Sequence, residues 1–492
     1  MCLQIQLKLS DTQFNISGDC VMADNIYLEL SEDNGSSHKF YKITIDGANL
    51  TINYGRIGTP GQTMVKSFNS HELAASFSQS KVKAQKRKGY DYAVKGVRKH
   101  RAIRAVVSRP SASNNRGKIN NSKSAPVIAT YKTQTVAFGI FVDADNIYVG
   151  DETGRVSVLS HDYELLRQYK LPAGTKCIVG DGANVYAGTN QGHVYEITGK
   201  IARLTYDCPG NAAIFWMDLR DGVLAVSDNE GGLFAYDYEG DLLFSNATGN
   251  GNAWMVRVDE TGIFHGGNHV ARYTFDGEKL WSNATSGVLF GYQTDSCLYA
   301  GGKGVVMIDK IDGRIVRKYP GNWVPSNCTS ERGSQVFAQN NNDLKCWKKS
   351  GESVFTLRSP NSGMSMQYFS EKLYIVGDKG LAVIDVSDDA TQSAQNDVLP
   401  NIRSFKAPSD SIAEVDSTKL ENAKKSARGV ELVCIRDNGK LRVRVLTDGY
   451  DKTMNCQFPK NLRQEEALYL VDSIELSSSG SFYKVSGNIY AR

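Results

Sequence analysis

A short strand pattern that recurs seven times constrains the fold of this chain more than any other feature of its 492 residues. Each copy opens with an aliphatic residue followed by an aromatic residue or leucine, and four copies end in glycine. The copies begin at Ile147, Val185, Val223, Ile263, Leu298, Val336 and Leu373. They are spaced 35 to 40 residues apart, a period typical of repeat proteins in which each copy packs against its neighbours.

Turns between the repeats predict four short strands in each copy and leave no room for a helix. A polar turn follows the recurring strand, as at Asp151–Gly154 and Asp228–Gly231, and a later turn such as Glu239–Gly240 precedes a last strand. With 46 glycines and 24 tyrosines but 11 prolines, the composition favours strands joined by tight turns. We therefore predict a seven-bladed β-propeller over residues 135–399, since radial closure hides most strand edges. The tryptophans predicted to pack between its blades are Trp216, Trp254, Trp281, Trp323 and Trp347.

The repeats resemble those of quinoprotein-type (PQQ-like) and WD40-type propellers, for example in Phe234–Phe244 and Tyr273–Trp281. The resemblance implies the propeller fold and says little about activity. Most intracellular propellers of these types are docking platforms, which implies an unknown protein partner on this one. A quinone dehydrogenase would be expected to carry a signal peptide and a calcium site, and the sequence shows neither.

Residues 22–92 have the pattern of a small α+β domain. Alternating strands flank the hairpin turn Asp46–Gly47, and Ser70 is a good N-cap for a helix that ends near Arg87. Before this domain, residues 1–21 form an extension with one short alternating strand pattern and without the apolar block of a secretory signal.

Three blocks of this domain, Lys39–Tyr41, Tyr54–Gln62 and Lys88–Tyr90, resemble the WGR domain in content and order. That domain occurs in DNA-damage-activated poly(ADP-ribose) polymerases and in bacterial proteins. In the polymerases its signature aromatic residue stacks against the nucleotide at a DNA end, and the neighbouring arginine couples DNA contact to another domain. The resemblance implies these roles for Tyr54 and Arg56, although Tyr54 stands where the family has tryptophan. The residue types alone leave open a structural role, with Tyr54 packed on the helix.

Positive charge is concentrated beside this domain. Between Lys81 and Lys132 the chain has 15 lysines and arginines and one acidic residue, a local net charge of +14 in a chain of net charge +4. Such a stretch is typical of proteins that bind a nucleic-acid backbone. An aromatic residue adds stacking on a base, and glycines let backbone amides approach phosphate. The predicted nucleic-acid-binding residues are Lys39, Tyr54, Gly55, Arg56, Lys66, Lys81, Lys86, Arg87, Lys88, Lys95, Arg98, Lys99, Arg101 and Arg104.

Residues 430–492 are predicted to form a small β domain. A hairpin turn at Asn438–Gly439 joins two alternating strands, and further strands are predicted at Leu468–Leu476 and Phe482–Tyr490. One face of the second strand is basic, and it is either a second nucleic-acid face or an ordinary solvated face. The basic residues of that face are Lys440, Arg442 and Arg444. The predicted linkers are residues 93–134, which are basic and flexible, and residues 400–429. The predicted fold class is mainly β.

The sequence shows no recognisable catalytic or cofactor motif: no nucleophile elbow, no phosphate-binding loop and no dinucleotide-binding glycine pattern. His265 and His269 fall at a turn where no helix sets a metal-binding spacing, so we predict no metal and no cofactor. The nine cysteines are an odd number without a Cys-x-x-Cys pair, which favours a reducing cytoplasm. The longest apolar run, Val136–Val142, is far too short to span a bilayer, so no membrane contact is predicted.

Together these patterns predict a non-enzymatic adaptor that senses nucleic acid, DNA rather than RNA, at ends or breaks, and whose propeller docks a partner protein. Analogy with bacterial WGR-plus-propeller proteins suggests a stress or phage-conflict system as its setting. Two alternatives stay open at this point. One is a cytosolic propeller hydrolase, lyase or oxidoreductase with its site at the central channel, and the other is a pure protein–protein scaffold. A channel-mouth pocket with converging His, Asp or Glu would favour the enzyme.

Overall fold

In the computed structural model the chain forms two compact units, residues 1–115 and residues 116–492. The described parts of the chain contain 40 strands and two α-helices, so the fold is mainly β, as predicted. The structure describes residues 25–31, 38–57, 61–87, 90–93, 123–211, 213–247, 255–285, 287–288, 290–302, 304–321, 327–331, 333–410, 420–424 and 427–492.

An antiparallel sheet and one helix make up the described part of the first unit. Its elements are β1 (Asn25–Ser31), β2 (His38–Asp46), β3 (Asn49–Arg56), β4 (Gln62–Ser67), α1 (His71–Arg87) and β5 (Asp91–Tyr92). The strands lie in the order β4-β3-β2-β1-β5, and the apolar side of the sheet packs on Ala74, Ala75 and Val82 of α1. Ser70 caps α1, as predicted, because its Oγ accepts a hydrogen bond from the backbone N–H of Leu73 at 3.3 Å.

Thirty strands of the second unit form seven sheets. The first of them are β6 (Lys123–Ser124), β7 (Val127–Lys132), β8 (Ala137–Val142), β9 (Ile147–Asp151), β10 (Arg155–Leu159), β11 (Leu165–Lys170), β12 (Thr175–Gly180), β13 (Val185–Thr189), β14 (His193–Glu196), β15 (Arg203–Asp207), β16 (Ile214–Arg220), β17 (Val223–Asp228), β18 (Gly232–Tyr236) and β19 (Leu242–Ala247). The others, with one helix, are β20 (Met255–Asp259), β21 (Gly262–Gly266), β22 (Val270–Tyr273), β23 (Lys279–Asn283), β24 (Phe290–Gln293), β25 (Cys297–Gly302), β26 (Gly304–Asp309), β27 (Ile315–Lys318), β28 (Asn327–Glu331), β29 (Gln335–Asn340), β30 (Asp343–Lys348), β31 (Ser353–Arg358), β32 (Gly363–Phe369), β33 (Lys372–Gly377), β34 (Gly380–Asp385), α2 (Asp388–Gln395) and β35 (Arg403–Lys406).

The seven sheets are the blades of a closed propeller, which confirms the fold predicted from the repeats. The innermost strands β8, β12, β16, β20, β24, β28 and β32 each contact the next one, and β32 contacts β8 again. The second residue of every repeat copy lies on the next strand of its blade and is at most 3% exposed. These residues are Tyr148, Tyr186, Leu224, Phe264, Tyr299, Phe337 and Tyr374. The sequence pattern therefore recurs because each blade buries a large, mainly apolar side chain at the same position.

The seventh blade is completed by a strand from before the first repeat. β7 pairs antiparallel with β34, and β35 pairs in parallel with β7. On the sixth blade, β6 pairs in parallel with β31. The linkers predicted at residues 93–134 and 400–429 are therefore wrong where they include these strands, and the propeller extends beyond residues 135–399. A period measured along the chain misses them because their partners lie more than 200 residues away in sequence.

The second unit ends in the predicted small β domain. Its strands are β36 (Val430–Asp437), β37 (Lys440–Val445), β38 (Cys456–Gln457), β39 (Leu468–Leu476) and β40 (Tyr483–Ala491), in the sheet order β37-β36-β39-β40-β38. The turn between β36 and β37 is the predicted hairpin, with Asn438 at φ +52° and Gly439 at φ +79°. Neither α1 nor α2, the two α-helices of the described residues, is long and apolar enough to cross a membrane.

We expect the propeller to need β7, which lies outside residues 135–399, the range predicted from the sequence. A fragment that begins at residue 119 keeps β7, including Tyr131, which is 1% exposed. A fragment that begins at residue 135 loses β7 and leaves β34 with an unpaired edge, so it should melt at a clearly lower temperature or aggregate. Thermal melts followed by circular dichroism compare the two fragments. Equal melting temperatures would contradict the assignment of β7 to the seventh blade.

Candidate nucleic-acid interface

Tyr54 lies on β3, directly opposite Tyr41 of β2. The two ring centroids are 5.9 Å apart, and the ring of Tyr41 also lies 6.3 Å from that of Tyr90, which follows α1. Burial raises the pKa of Tyr41 to about 12, so its hydroxyl stays protonated at neutral pH. Tyr54 is partly buried and packs against the apolar core beneath α1. The structure therefore gives Tyr54 the structural contact that the sequence left open, and the residue keeps some exposure to solvent.

Three predicted residues meet at one end of the sheet. The register pairs Lys39 of β2 with Arg56 of β3, two residues from the pair that Tyr41 and Tyr54 form. Strand alternation assigns positions 39, 54 and 56 to the same face. Gly55 lies between Tyr54 and Arg56 in the chain. The backbone thus places a stacking residue beside two basic positions, the combination that a nucleic-acid end requires, and the side chain of Arg56 lies outside the described parts.

A glycine is required where the chain enters β4. Gly61 has a φ of +71°, in the left-handed region, and a Cβ there would be 2.6 Å from Cζ of Phe40 and 2.7 Å from the backbone oxygen of Tyr54. Any larger residue would collide with the backbone of β3. Gly61 therefore lets the chain pass directly beside the candidate stacking residue.

Aromatic rings lie close to three lysines of this unit. Nζ of Lys86 lies 4.1 Å from the ring centroid of Tyr92, and Nζ of Lys66 lies 4.7 Å from that of Phe77. Lys81 approaches the same Phe77 ring at 5.1 Å. Such cation–π contacts hold an ammonium group in place without removing its charge. α1 ends at Arg87, whose side chain lies outside the described parts, and the predicted residues wholly outside them are Lys88, Lys95, Arg98, Lys99, Arg101 and Arg104.

Two basic residues of the face predicted on β37 pair with carboxylates of the propeller. Nζ of Lys440 lies 2.6 Å from a carboxylate oxygen of Asp241, and Nε of Arg442 lies 3.4 Å from one of Glu239. Arg444 pairs with a carboxylate of its own domain. A second nucleic-acid face stays a prediction, and the carboxylates paired with these three residues reduce the positive charge that it would need. The sequence did not reveal the pairing because Lys440 and Asp241 are 199 residues apart.

The turn Asp237–Asp241, between β18 and β19, is the acidic half of this contact. Its three carboxylates place oxygens within 4.8 Å of one another, a spacing that could hold a metal ion. Cations of the C-terminal domain are bound there instead. Lys440 and Lys460 contact Asp241 at 2.6 and 2.5 Å, and Arg463 donates a hydrogen bond of 2.7 Å to a backbone oxygen of the turn. The cluster is therefore an interface between domains.

Apolar and buried polar contacts complete this interface. The rings of Tyr238 and Phe482 stack with centroids 4.1 Å apart. Lys484 of β40 pairs with Asp181 of the second blade at 2.7 Å, and both side chains are buried. A cavity of about 20 Å³ between the C-terminal domain and the propeller, lined in part by Gln457, has room for one water molecule and not for a substrate. The C-terminal domain is therefore a fixed part of the second unit.

Polar side chains on the inner strands connect neighbouring blades. Asp218 of β16 accepts hydrogen bonds from the backbone N–H of Val258 at 2.8 Å and from the side-chain amide of Gln293 at 3.0 Å. Arg257 of β20 donates a hydrogen bond of 2.9 Å to the backbone oxygen of Gly291. Burial raises the pKa of Asp218, and the nearby Arg257 counteracts part of this effect. These groups hold the third, fourth and fifth blades together, a structural role that accounts for their burial.

Tryptophans also pack between blades, as predicted. The ring of Trp216 lies 5.0 Å from that of Phe290 on the fifth blade. Trp281 donates a hydrogen bond of 3.2 Å to a backbone oxygen of the fifth blade, and Trp347 contacts a tyrosine of that blade at 5.6 Å. The remaining two, Trp254 and Trp323, lie outside the described residues. The described tryptophans are thus accounted for by packing.

We expect the contact between the propeller and the C-terminal domain to weaken in acid. Burial by itself would raise the pKa of Asp241, but hydrogen bonds from Lys440 and Lys460 outweigh it and lower the pKa from 3.8 to about 2. The stabilisation, about 1 kcal/mol for a partly exposed pair, is present above about pH 4 and is lost as the pH falls toward 2. Wild type should therefore melt above Asp241→Asn at pH 6, and the difference should shrink at pH 2.5.

A matched control is Asp276→Asn, at the corresponding turn of the next blade, where the side chain is exposed. That variant should melt like wild type at both pH values. A melting difference between wild type and Asp241→Asn that stays the same at pH 6 and pH 2.5 would contradict the ion-pair assignment.

Comparison with known proteins agrees with this architecture. A family model of the WGR domain matches residues 24–97. No curated protein sequence matches the chain. The WD40 β-propeller domain of Doa1 is similar at 12% identity and a TM-score of 0.46, over 55% of this chain and 99% of that one. The computationally designed protein Ika8 has 12% identity and a TM-score of 0.44, over 53% and 99%. A chain of the Mitotic Checkpoint Complex has 13% identity and a TM-score of 0.46, over 59% and 99%.

At such low identity and with TM-scores below 0.5, these structures carry no argument, and the propeller assignment rests on the seven sheets and the closed ring of inner strands. WGR domains are associated with nucleic-acid binding and propellers with protein docking, and both are typically non-catalytic. The chain therefore combines a WGR domain, matched over residues 24–97, with a seven-bladed β-propeller.

Proposed function

We propose that this protein is an adaptor without catalytic activity, which senses DNA ends or breaks through its WGR domain and docks a partner protein on its propeller. The observation that carries the proposal is the pairing of β2 with β3, which places Lys39 and Tyr54 on one face at one end of the sheet and Arg56 opposite Lys39 in the register. A partly exposed aromatic ring can stack on a terminal base, which internal base pairs do not offer. The basic residues beside it supply contacts to the phosphates of either strand.

DNA is the proposed ligand rather than RNA, because the WGR domain of the polymerases, which this domain resembles, recognises damaged DNA. The charge of the chain supports a nucleic-acid backbone as the target, since the stretch from Lys81 to Lys132 has a net charge of +14. A cytoplasmic location without membrane contact belongs to the same proposal. The described cysteines are free and buried, which suits a reducing compartment.

The propeller is proposed as the docking part for two reasons. Its polar inner-strand groups, such as Asp218 and Arg257, already bind neighbouring blades, so blade packing accounts for them without catalysis. Its closed ring is a rigid frame that can present loops to a partner without reorganising. By its architecture the protein resembles bacterial WGR-plus-propeller proteins, and we extend the proposal to a stress or phage-conflict system in which another chain carries the enzymatic activity.

We expect linear duplex DNA to bind more tightly than a covalently closed circle of the same sequence. Fluorescence anisotropy at several salt concentrations should give a slope of roughly −4 to −5 for the logarithm of the binding constant against the logarithm of the salt concentration, if four to six phosphates are neutralised.

Tyr54→Ala should weaken binding to ends by about 1–3 kcal/mol and leave binding to the circle nearly unchanged, because stacking needs a terminal base. Tyr54→Trp restores the family residue and should keep end binding.

Because Tyr54 also packs on the core, thermal melts must accompany these titrations. The Ala variant tests stacking only at temperatures where it is as folded as wild type. The Trp variant tests stacking independently, because it keeps an aromatic ring at this position. If the folded Ala variant loses the same affinity for linear and for circular DNA, Tyr54 does not recognise ends. If the wild-type protein binds neither the linear nor the circular DNA at low salt, the proposed function is wrong.

A further inference from the structure

We propose that β4 guides the bound DNA strand away from Tyr54 and that Lys66 and Lys81 together contact its backbone several nucleotides from the end. We call these two residues the β4 lysine pair. This inference rests on the proposed function and adds to it a second contact with a defined position. It names which phosphates the pair contacts and which edge of the sheet the strand follows.

The β4 lysine pair is assembled by tertiary structure around a single ring. Lys66 belongs to β4 and Lys81 to α1, and their ammonium groups lie 4.7 and 5.1 Å from the ring centroid of Phe77. Lys66 also lies 5.5 Å from the ring of Phe68, which packs on Phe77 with centroids 5.2 Å apart. The aromatic contacts restrain two flexible side chains, so less entropy is lost when they bind an anion.

Two ammonium groups near one ring attract anions to this part of the surface. The proposed ligand offers a row of such anions, since each phosphodiester carries one negative charge. Lys66 is exposed on β4, which is an edge strand of the sheet and whose side chains are mostly exposed. The pair is therefore accessible to a strand that runs along this edge.

The register fixes where the pair lies relative to Tyr54. Gln62 of β4 is opposite Tyr54, and Lys66 is opposite Leu50. Residues opposite each other face the same side, and positions 62 and 66 share that side because they differ by an even number. Four residues of strand span roughly 13 Å. With about 3.4 Å of duplex axis per nucleotide of one strand, the pair lies about four nucleotides from the stacked end.

A matched control lies on the other side of the same sheet. Lys42 of β2 is exposed and is opposite Asn53 of β3, so it faces away from the side that carries Tyr54. It has the same charge and is likewise an exposed strand residue of the same domain. Nonspecific attraction by any surface lysine would make Lys42 as important as Lys66, whereas a defined path along β4 would not.

The test pairs lysine variants with neutral phosphates. Full-length Lys66→Gln, Lys81→Gln and Lys42→Gln proteins are titrated with blunt duplexes in which one phosphate, at positions one to eight from the end, is replaced by an uncharged methylphosphonate. For wild type, replacement near the fourth phosphate should weaken binding several-fold. That replacement should cost little for Lys66→Gln or Lys81→Gln, because the contact is already lost, and should keep its full effect for Lys42→Gln. Each variant of the β4 lysine pair should make the salt slope less negative by about 0.9.

Lys66→Arg keeps the charge and should keep the phosphate-specific effect, and thermal melts show that every variant is folded. If Lys66→Gln and Lys81→Gln behave like Lys42→Gln while wild type binds ends, the β4 path is wrong and the proposed function stands. If the neutral phosphate that couples to Lys66 or Lys81 is the terminal one, the position is wrong and the inference fails. If wild type does not bind duplex ends at all, the proposed function fails first.

Discussion

The antiparallel pairing of β7 with β34 is the contact on which most of this structure depends. A propeller hides its strand edges only if the last blade is complete, and here the completing strand comes from the other end of the repeat region. Through it, the seventh blade is held to the first, and the fully buried Tyr131 of β7 lies in the core between them. Each blade can then present loops of different sequence, because the ring and not the loops maintains the fold.

Electrostatics decides how the C-terminal domain joins that ring. Its lysines and arginines bind the acidic turn Asp237–Asp241, while Tyr238 of the same turn stacks on Phe482. The buried pair of Lys484 and Asp181 adds a contact that is costly to leave unpaired, so it favours one docked arrangement over alternatives. A domain that follows a polar segment in the sequence is in this way a fixed part of the propeller unit.

In the WGR domain, aromatic rings have two roles that oppose each other. Tyr54 contributes to the core through Tyr41, yet the proposed function needs part of its ring to remain accessible. Phe77 packs on Phe68 in the core of the domain and also positions Lys66 and Lys81 at its surface. An aromatic side chain allows this combination because its edge can be buried while its face attracts a cation or a base.

Local features of this chain could be predicted from sequence because they depend on neighbours along the chain. The seven-fold repeat, the hairpins at Asp46–Gly47 and Asn438–Gly439, and the cap at Ser70 are of this kind. The blade that β7 completes, the acid that pairs with Lys440 and the ring that lies near both Lys66 and Lys81 are not. Each of these joins segments that are distant in sequence, and only the tertiary structure decides which of the many possible pairs of strands and charges come together.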